Sequence, residues 1–439
     1  MGAGIAQLGC AAGFETVLYD AVPEALGRGE AQVRDGLARW VEKGRVGSEV
    51  EGLLSTVSSI EGLADCDLVI EAAPERLELK RGLFGELSRV CGSDAVLATN
   101  TSSIPVTALA GAAEWPENVV GMHFFNPPPL MRLVEVVRAD QTGDRAVEVA
   151  REVGVAMGKE VILAADGPGF LVNRCGRPFY AEALRCLQER LASHEAIDRI
   201  YRLGGGYRMG PFELMDLVGI DTGLEIAQSF TEQSFGEPRW RPNPIQARMV
   251  AAGRLGRKSG RGYYDYSREP YRAEDSPARG GSEDFRSAAA AAGLVDCGTE
   301  ALGARGATGF SLLPGAGLVE LCGERNPAVE EMAARAGLHW EWVGDAPGLV
   351  LGRVVCQLVN EAAFAIGEGV GSADDVDLGL ELGLNHPRGP ISWSRELGLE
   401  RVVATLDGLW EHYREERYRP APLLTRAAAR GSTLADPAR

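Results

Sequence analysis

At 439 residues the chain is longer than one ordinary domain of roughly 150 residues and points to two or three. Its composition, 45% hydrophobic and 24% charged, is that of a globular protein, with no apolar run near the roughly 18 residues of a membrane span. A formal net charge of -17 argues against a nucleic-acid partner, whose phosphates need clustered Lys and Arg, yet leaves room for a phosphorylated small molecule.

Over 1–165, short β-branched or apolar runs at 16–19, 67–70, 95–98, 118–121 and 133–137 alternate with stretches of helical spacing such as 24–42 and 78–90. That alternation predicts an α/β domain, a mostly parallel sheet with helices on its faces. The opening Met1-Gly2-Ala3-Gly4-Ile5-Ala6 reads as a helix start, and Asp20 closes the strand after it. A dinucleotide-binding unit runs strand, G-x-G-x-x-G, helix, strand, acidic residue; the pyrophosphate meets the helix N-terminus and the acid meets the ribose. In that frame Gly2 is the third glycine and Asp20 the acid, whose charge favours NAD over NADP. The first strand and both earlier glycines are not in the sequence. The plainer alternative makes Gly2 a structural helix glycine and Asp20 a strand cap.

Glu71 and Glu75 follow the strand at 67–70, with Lys80 one turn into the next helix; Asn100-Thr101-Ser102-Ser103 follows the strand at 95–98. Ligands of open parallel sheets lie beyond such carboxyl ends. The alternatives are a solvated charged face and a helix N-cap. His123 ends an apolar strand in Gly121-Met122-His123-Phe124-Phe125-Asn126-Pro127. Alone it fits a core histidine bonded to a carbonyl. Glu135, in the strand after the Pro-rich turn, supplies the other reading. A carboxylate on one ring nitrogen fixes the tautomer, stabilises the cation and leaves the second nitrogen to take a proton near neutrality.

From 166 onward the pattern turns to Ala- and Leu-rich helices, and a repeat sets the layout. Asp166-Gly167-Pro168-Gly169-Phe170-Leu171-Val172-Asn173-Arg174 returns as Asp345-Ala346-Pro347-Gly348-Leu349-Val350-Leu351-Gly352-Arg353. The same shift of 179 residues (166 to 345) carries Glu182 onto Glu361, Asp198 onto Asp377 and Gly210-Pro211 onto Gly389-Pro390. So long a period is domain duplication, not a solenoid. We expect two related all-helical domains, 166–266 and 345–431, and a tail at 432–439. Between them, 267–344 reads as a linker or remnant segment with an exposed polar start and a helix near 328–336. Eight cysteines form no C-x-x-C pair, so neither a metal site nor a disulfide framework is expected. With no basic-then-apolar leader at the start, the expected location is cytoplasmic.

The pieces M-G-A-G-I-A, E-A-A-P-E, N-T-S-S, H-F-F-N-P, L-V-E-V-V and D-G-P-G-F-L-V-N-R, in that order, resemble the NAD-dependent 3-hydroxyacyl-CoA dehydrogenases. G-R-K-S-G-R-G-Y-Y-D-Y at 256–266 and the duplicated helical domain resemble the bacterial two-repeat form. The resemblance covers 1–266 and 345 to about 430. It implies a Rossmann-type sheet lacking its first strand, followed by the two helical domains, with NAD as cofactor and an acyl-CoA thioester as substrate. The implied reaction oxidises an L-3-hydroxyacyl-CoA to a 3-oxoacyl-CoA, as in fatty-acid β-oxidation, butanoate metabolism or phenylacetate breakdown.

Carried over position by position, the resemblance implies His123 as the base and Glu135 as its partner. It implies Ser102 and Asn173 around the substrate hydroxyl and thioester carbonyl, and Asn126 placing the histidine or the acyl group. Gly2, Asp20, Glu75, Lys80 and Asn100 would line the cofactor pocket. Met1 falls where the family has an internal methionine, which implies a native start upstream. Gly352 stands where the first repeat has Asn173, so the second copy, with no preceding sheet domain bearing its own histidine, is expected to be structural. It would replace the second chain with which single-repeat relatives pair, an intramolecular pseudo-dimer, with a homo-oligomer as the alternative. Arg132 and Arg174 are candidates for a distal carboxylate or a CoA phosphate. The competing functional reading is an inactive relative that only binds CoA thioesters or serves in assembly.

Overall fold

The structure, a computed structural model, describes residues 1–276, 282–303 and 307–436. They fall in two compact units, Met1–Leu171 and Val172–Arg439. The first runs α1 (Gly2–Ala11), β1 (Thr16–Tyr19), α2 (Pro23–Glu42), β2 (Leu54–Val57), β3 (Leu68–Glu71), α3 (Leu77–Cys91), β4 (Val96–Thr99), α4 (Val106–Ala110), β5 (Val119–Phe124), β6 (Leu133–Arg138), α5 (Asp144–Ala156) and β7 (Glu160–Ala165). Every expected strand run forms a strand, and β2 and β7 join them. β4 and β5 are buried along their whole length, and strands covered on both faces take continuous apolar runs instead of alternation. Val120, Met122 and Phe124 of β5 pack with Val96, Ala98, Val134 and Val136, each large apolar side chain contributing roughly 1.5–3 kcal/mol by its burial. α3 turns Lys80, Phe84, Leu87 and Ser88 inward, the i, i+4, i+7, i+8 spacing of one helical face.

The sheet comes in two pieces. β1 and β2 pair in parallel; separately, the strands run in the order β3-β4-β5-β6-β7, parallel except between β5 and β6. β1 and β3 share no ladder.

The second unit opens with α6 (Val172–Gln188), α7 (His194–Arg199), α8 (Pro211–Val218), α9 (Ile220–Gln233) and α10 (Pro244–Ala251). Next come α11 (Ser282–Ala291), β8 (Val295–Asp296), β9 (Thr308–Ser311), β10 (Leu318–Gly323), α12 (Pro327–Arg335) and β11 (His339–Trp342). The last helices are α13 (Leu351–Gly367), α14 (Ala373–Gly383), α15 (Pro390–Leu397), α16 (Leu399–Tyr413) and α17 (Pro422–Arg430). The repeat reappears in hydrogen bonds. Asp198 accepts from the backbone N–H groups of Phe212 and Glu213, at 2.9 Å each, and Asp377 from Ile391 and Ser392, at 2.7 and 2.9 Å. A Cβ on Gly210 or Gly389 would fall 2.3 or 2.1 Å from the aspartate oxygen, so only glycine fits beside either carboxylate. No described helix is long and apolar enough to cross a membrane.

The segment 267–344 is not only linker. Residues 277–281 of its polar start lie outside the described residues, but its remainder carries a four-stranded sheet in the order β11-β10-β9-β8. Its topology repeats that of β4 to β7. β8 runs parallel to β9, β9 antiparallel to β10, and β11, reached through α12, parallel to β10. Glu320 stands opposite Ser311 as Glu135 stands opposite His123. It accepts from the N–H groups of Val350 and Leu351 at 2.7 and 3.1 Å, as Glu135 does from Leu171 at 2.7 Å. A piece of sheet thus precedes the second set of helices, with serine in the histidine's place.

Candidate active site

The antiparallel register of β5 on β6 sets His123 directly opposite Glu135, where side chains on one sheet face meet. Imidazole Nδ1 lies 2.9 Å from Glu135 Oε2, and both residues are buried. Because a carboxylate only accepts, Nδ1 carries the proton of the neutral ring and Nε2 keeps its lone pair, with no hydrogen-bond partner among the described residues. The other carboxylate oxygen accepts the Leu171 N–H. That N–H is delivered by a turn in which Phe170 adopts φ 52°, a left-handed conformation costing on the order of 1–2 kcal/mol for a non-glycine residue. Leu349, its counterpart in the repeat, adopts φ 49°. Phe125 and Phe170 flank the imidazole with ring centroids at 4.6 and 5.8 Å, which holds the ring plane.

The carboxyl ends of β3 and β4 are laced by a buried ionic network. Lys80 Nζ lies 2.9 and 3.1 Å from the two Glu71 oxygens and 3.1 Å from Glu75 Oε2. Glu71 also accepts the Thr99 hydroxyl at 2.7 Å. Glu75 Oε1 accepts the N–H groups of Ser102 and Ser103 at 3.0 and 3.1 Å and the Thr101 hydroxyl. The Lys80 and Glu71 side chains are each 1% exposed, so that pair is no solvated face, while Glu75 at 36% reaches the surface. Burial works to raise the Glu75 pKa, but the Thr101 hydroxyl and the Lys80 ammonium outweigh it and hold the carboxyl below its usual range. Asn100 Oδ1 accepts the Phe124 N–H at 2.8 Å and so clamps the end of β5, one residue from His123.

Ser102 is exposed, and its hydroxyl has no partner among the described residues. Asn126 is exposed and makes no hydrogen bond to His123. Asn173 stands in the first turn of α6, in the second unit. Arg132 meets Glu160 at 3.0 Å on the surface, whereas buried Arg174 is taken up by Glu361 and Glu368 at 2.8 and 2.7 Å and is not left for a substrate carboxylate. The Leu171 N–H went unseen in the sequence; the signal that could have found it is the D-x-P-G turn shared by both repeats.

The start of α1 lies beside the end of β3, a Cβ on Gly2 falling 3.9 Å from Ala72. Asp20 is exposed at the end of β1, engaged only by the Val22 N–H of its own turn at 2.9 Å. α1 begins with no side-chain cap and no acid in its first turn, leaving its leading N–H groups and positive dipole end to an anion. A Cβ on Gly4 would lie 3.1 Å from Pro129, while at Gly2 the nearest atom is 3.9 Å away. Among the described residues one cluster has metal-ligand character, Cys297, Cys322 and Asp345 in the second unit. Both Asp345 oxygens there are already engaged by the N–H groups of Leu302 and Gly303 at 2.7 Å.

An acid-ended strand, an uncapped helix start and a carboxylate-steered histidine on a mostly parallel sheet define the class, the NAD-binding α/β oxidoreductases. Residues 1–167 match the family described as 3-hydroxyacyl-CoA dehydrogenase, NAD binding domain. Residues 169–266 and 348–434 match its C-terminal domain. The chain is 37% identical to the 3-hydroxyadipyl-CoA dehydrogenase of Escherichia coli K12, over 98% of this chain and 95% of that one. It is 42% identical to a probable 3-hydroxybutyryl-CoA dehydrogenase of Deinococcus radiodurans, over 61% of this chain and 96% of the relative. The crystal structure of 3-hydroxybutyryl-CoA dehydrogenase from Escherichia coli K12 superposes with a TM-score of 0.89 at 36% identity, over 98% of this chain and 96% of that one. The chain belongs to the 3-hydroxyacyl-CoA dehydrogenase family.

Proposed function

We propose that this chain oxidises L-3-hydroxyacyl-CoA thioesters to 3-oxoacyl-CoA with NAD, His123 acting as base and Glu135 as its partner. The observation that carries the reading is the 2.9 Å contact of Nδ1 with Glu135, whose other oxygen is held by the Leu171 N–H. NAD, when bound, supplies the acceptor for the hydride that leaves C3. The chain's own part is geometry and proton transfer. Nε2 takes the hydroxyl proton, the carboxylate beside Nδ1 stabilises the resulting cation, and the Leu171 N–H keeps that carboxylate from turning away.

Ser102 serves as a neutral donor to the hydroxyl oxygen and the thioester carbonyl, and Asn126 helps place the histidine or the acyl group. Gly2 at the helix start and Asp20 take the pyrophosphate and ribose, while Glu75, Lys80 and Asn100 frame the cofactor pocket; the Lys80–Glu75 pair at 3.1 Å and the bond from the Phe124 N–H to Asn100 support a framing role. The NAD-binding-domain match across 1–167 supports turnover over a purely binding or assembly role.

The second copy acts as a built-in partner. Arg174 pairs with Glu361 at 2.8 Å and Arg353 with Glu182 at 2.7 Å, and the 179-residue shift turns one pair into the other. Such reciprocity, i to j and j to i, is what an isologous dimer interface has, and it supports a pseudo-dimer within one chain. We assign the protein to the cytoplasm, where its eight free cysteines stay reduced.

The test is thioester-dependent redox. Acetoacetyl-CoA but not free acetoacetate should oxidise NADH, and 3-hydroxybutyryl-CoA and 3-hydroxyadipyl-CoA are compared for chain preference. His123→Ala and Glu135→Ala should each lose on the order of 10²- to 10⁴-fold in kcat while melting cooperatively. Wild-type rates in either variant would end the assignment.

A further inference from the structure

The second unit holds a cavity of about 570 Å³ between α6, the stretch from α9 to α10 and the chain after α16. Clefts of roughly 300–1,000 Å³ are the usual size for small-molecule sites. Its walls carry six arginines against two glutamates, in a protein whose net charge is -17. Four of the arginines are spoken for: Arg239 by Glu237 and Glu361, Arg417 by Glu182 and Glu415, Arg185 by Glu189 and Glu415, and Arg414 by Glu411. Arg177 is different. It projects from α6, half-buried, with no carboxylate and no hydrogen-bond acceptor among the described residues; only the Phe230 ring lies under its guanidinium, 5.2 Å away. Burial pulls its pKa below the usual arginine range, and Tyr180 is the one group countering that.

The deficit on these walls is consistently of acceptors. Besides Arg177, the buried Arg185 Nε and Trp240 Nε1 have no hydrogen-bond partner among the described residues, and Arg241 at the rim has no ion pair among them. The one wall carboxylate without a described ion pair, Glu416, is exposed. A half-buried guanidinium without an anion is costly to keep, and its planar fork suits a bidentate oxyanion. The aromatic faces are not free to stack a base: Arg174 and Arg239 each lie 5.1 Å from the Trp240 centroid, and Arg177 covers Phe230.

We propose that this cavity binds a compact polyanion, of the dicarboxylate or diphosphate kind, through Arg177. The site is separate from the dehydrogenase reading and does not depend on it. Calorimetric titration of the full chain at constant ionic strength, with pyrophosphate, citrate and adipate against chloride, tests it. One polyanion per chain should bind with a millimolar or lower Kd, and Arg177→Gln should weaken it at least tenfold. Binding by pyrophosphate alone identifies a phosphate ligand, and binding by citrate or adipate alone a carboxylate one. No heat beyond the chloride control, or equal affinity in Arg177→Gln, overturns the proposal. If Arg177→Gln melts early, Arg177→Lys keeps the charge but not the fork, and wild-type affinity in that variant also overturns it.

Discussion

His123 and Glu135 lie 12 residues apart in the chain and face to face across one ladder, which is why their pairing could be anticipated. A strand, a turn and a second strand bring residues of that spacing together with few alternatives. What no side chain could announce is the third member, the Leu171 N–H, because every residue carries a backbone donor. Asn100 changes meaning for the same reason: its Oδ1 is engaged by a backbone N–H at the end of β5. Glu135→Gln keeps an oxygen for Leu171 but removes the charge beside Nδ1; kcat should fall at least tenfold with little change in Tm, and an unchanged kcat counts against the dyad. Lys80→Met leaves buried Glu71 without its ammonium. Stripping one member of a buried pair typically costs about 3–5 kcal/mol, so the urea midpoint should drop clearly; an unshifted midpoint means the network carries little.

At the scale of elements, the long apolar strands β4, β5 and β6 were legible because full burial writes itself as a continuous run. The small sheet was not. β8 is two residues, and β9 is Thr-Gly-Phe-Ser, so neither carries the apolar run that marks a buried strand. That sheet carries its own titration. Burial pushes Glu320 up to about 8, with the Val350 and Leu351 N–H groups pulling the other way. The folded protein then holds a proton that the unfolded chain has already released, so this group lowers stability as pH climbs from the ordinary carboxylate range towards 8. Glu320→Gln has no proton to lose. Its Tm relative to wild type should rise between about pH 5 and pH 8, by an amount equivalent to about 1 kcal/mol or more. A difference that stays flat with pH would refute the buried, protonated carboxyl.

For the whole molecule, duplication is the organising fact, and it was readable because Gly and Pro punctuation survived the shift of 179 residues. Under the pseudo-dimer reading the chain should run as a 46.8 kDa monomer in light scattering, and a stable dimer would count against it. Arg353→Met would take one of two arginines from Glu182 and from Glu189, which keep Arg417 and Arg185, and should lower the denaturant midpoint by less than the about 3–5 kcal/mol of a fully stripped buried charge.

By itself the sequence determined what depends on local pattern: alternation over 1–165, the repeat, and the histidine and carboxylate on two neighbouring strands. Only the tertiary structure decided which charges are buried together, that Lys80 is sealed between Glu71 and Glu75, that Arg174 is consumed by the second copy, and that Arg177 is left over. Charge and type are printed in each residue, but whether a charge meets an opposite one depends on contacts across many residues of chain, and short-range periodicity carries no record of those.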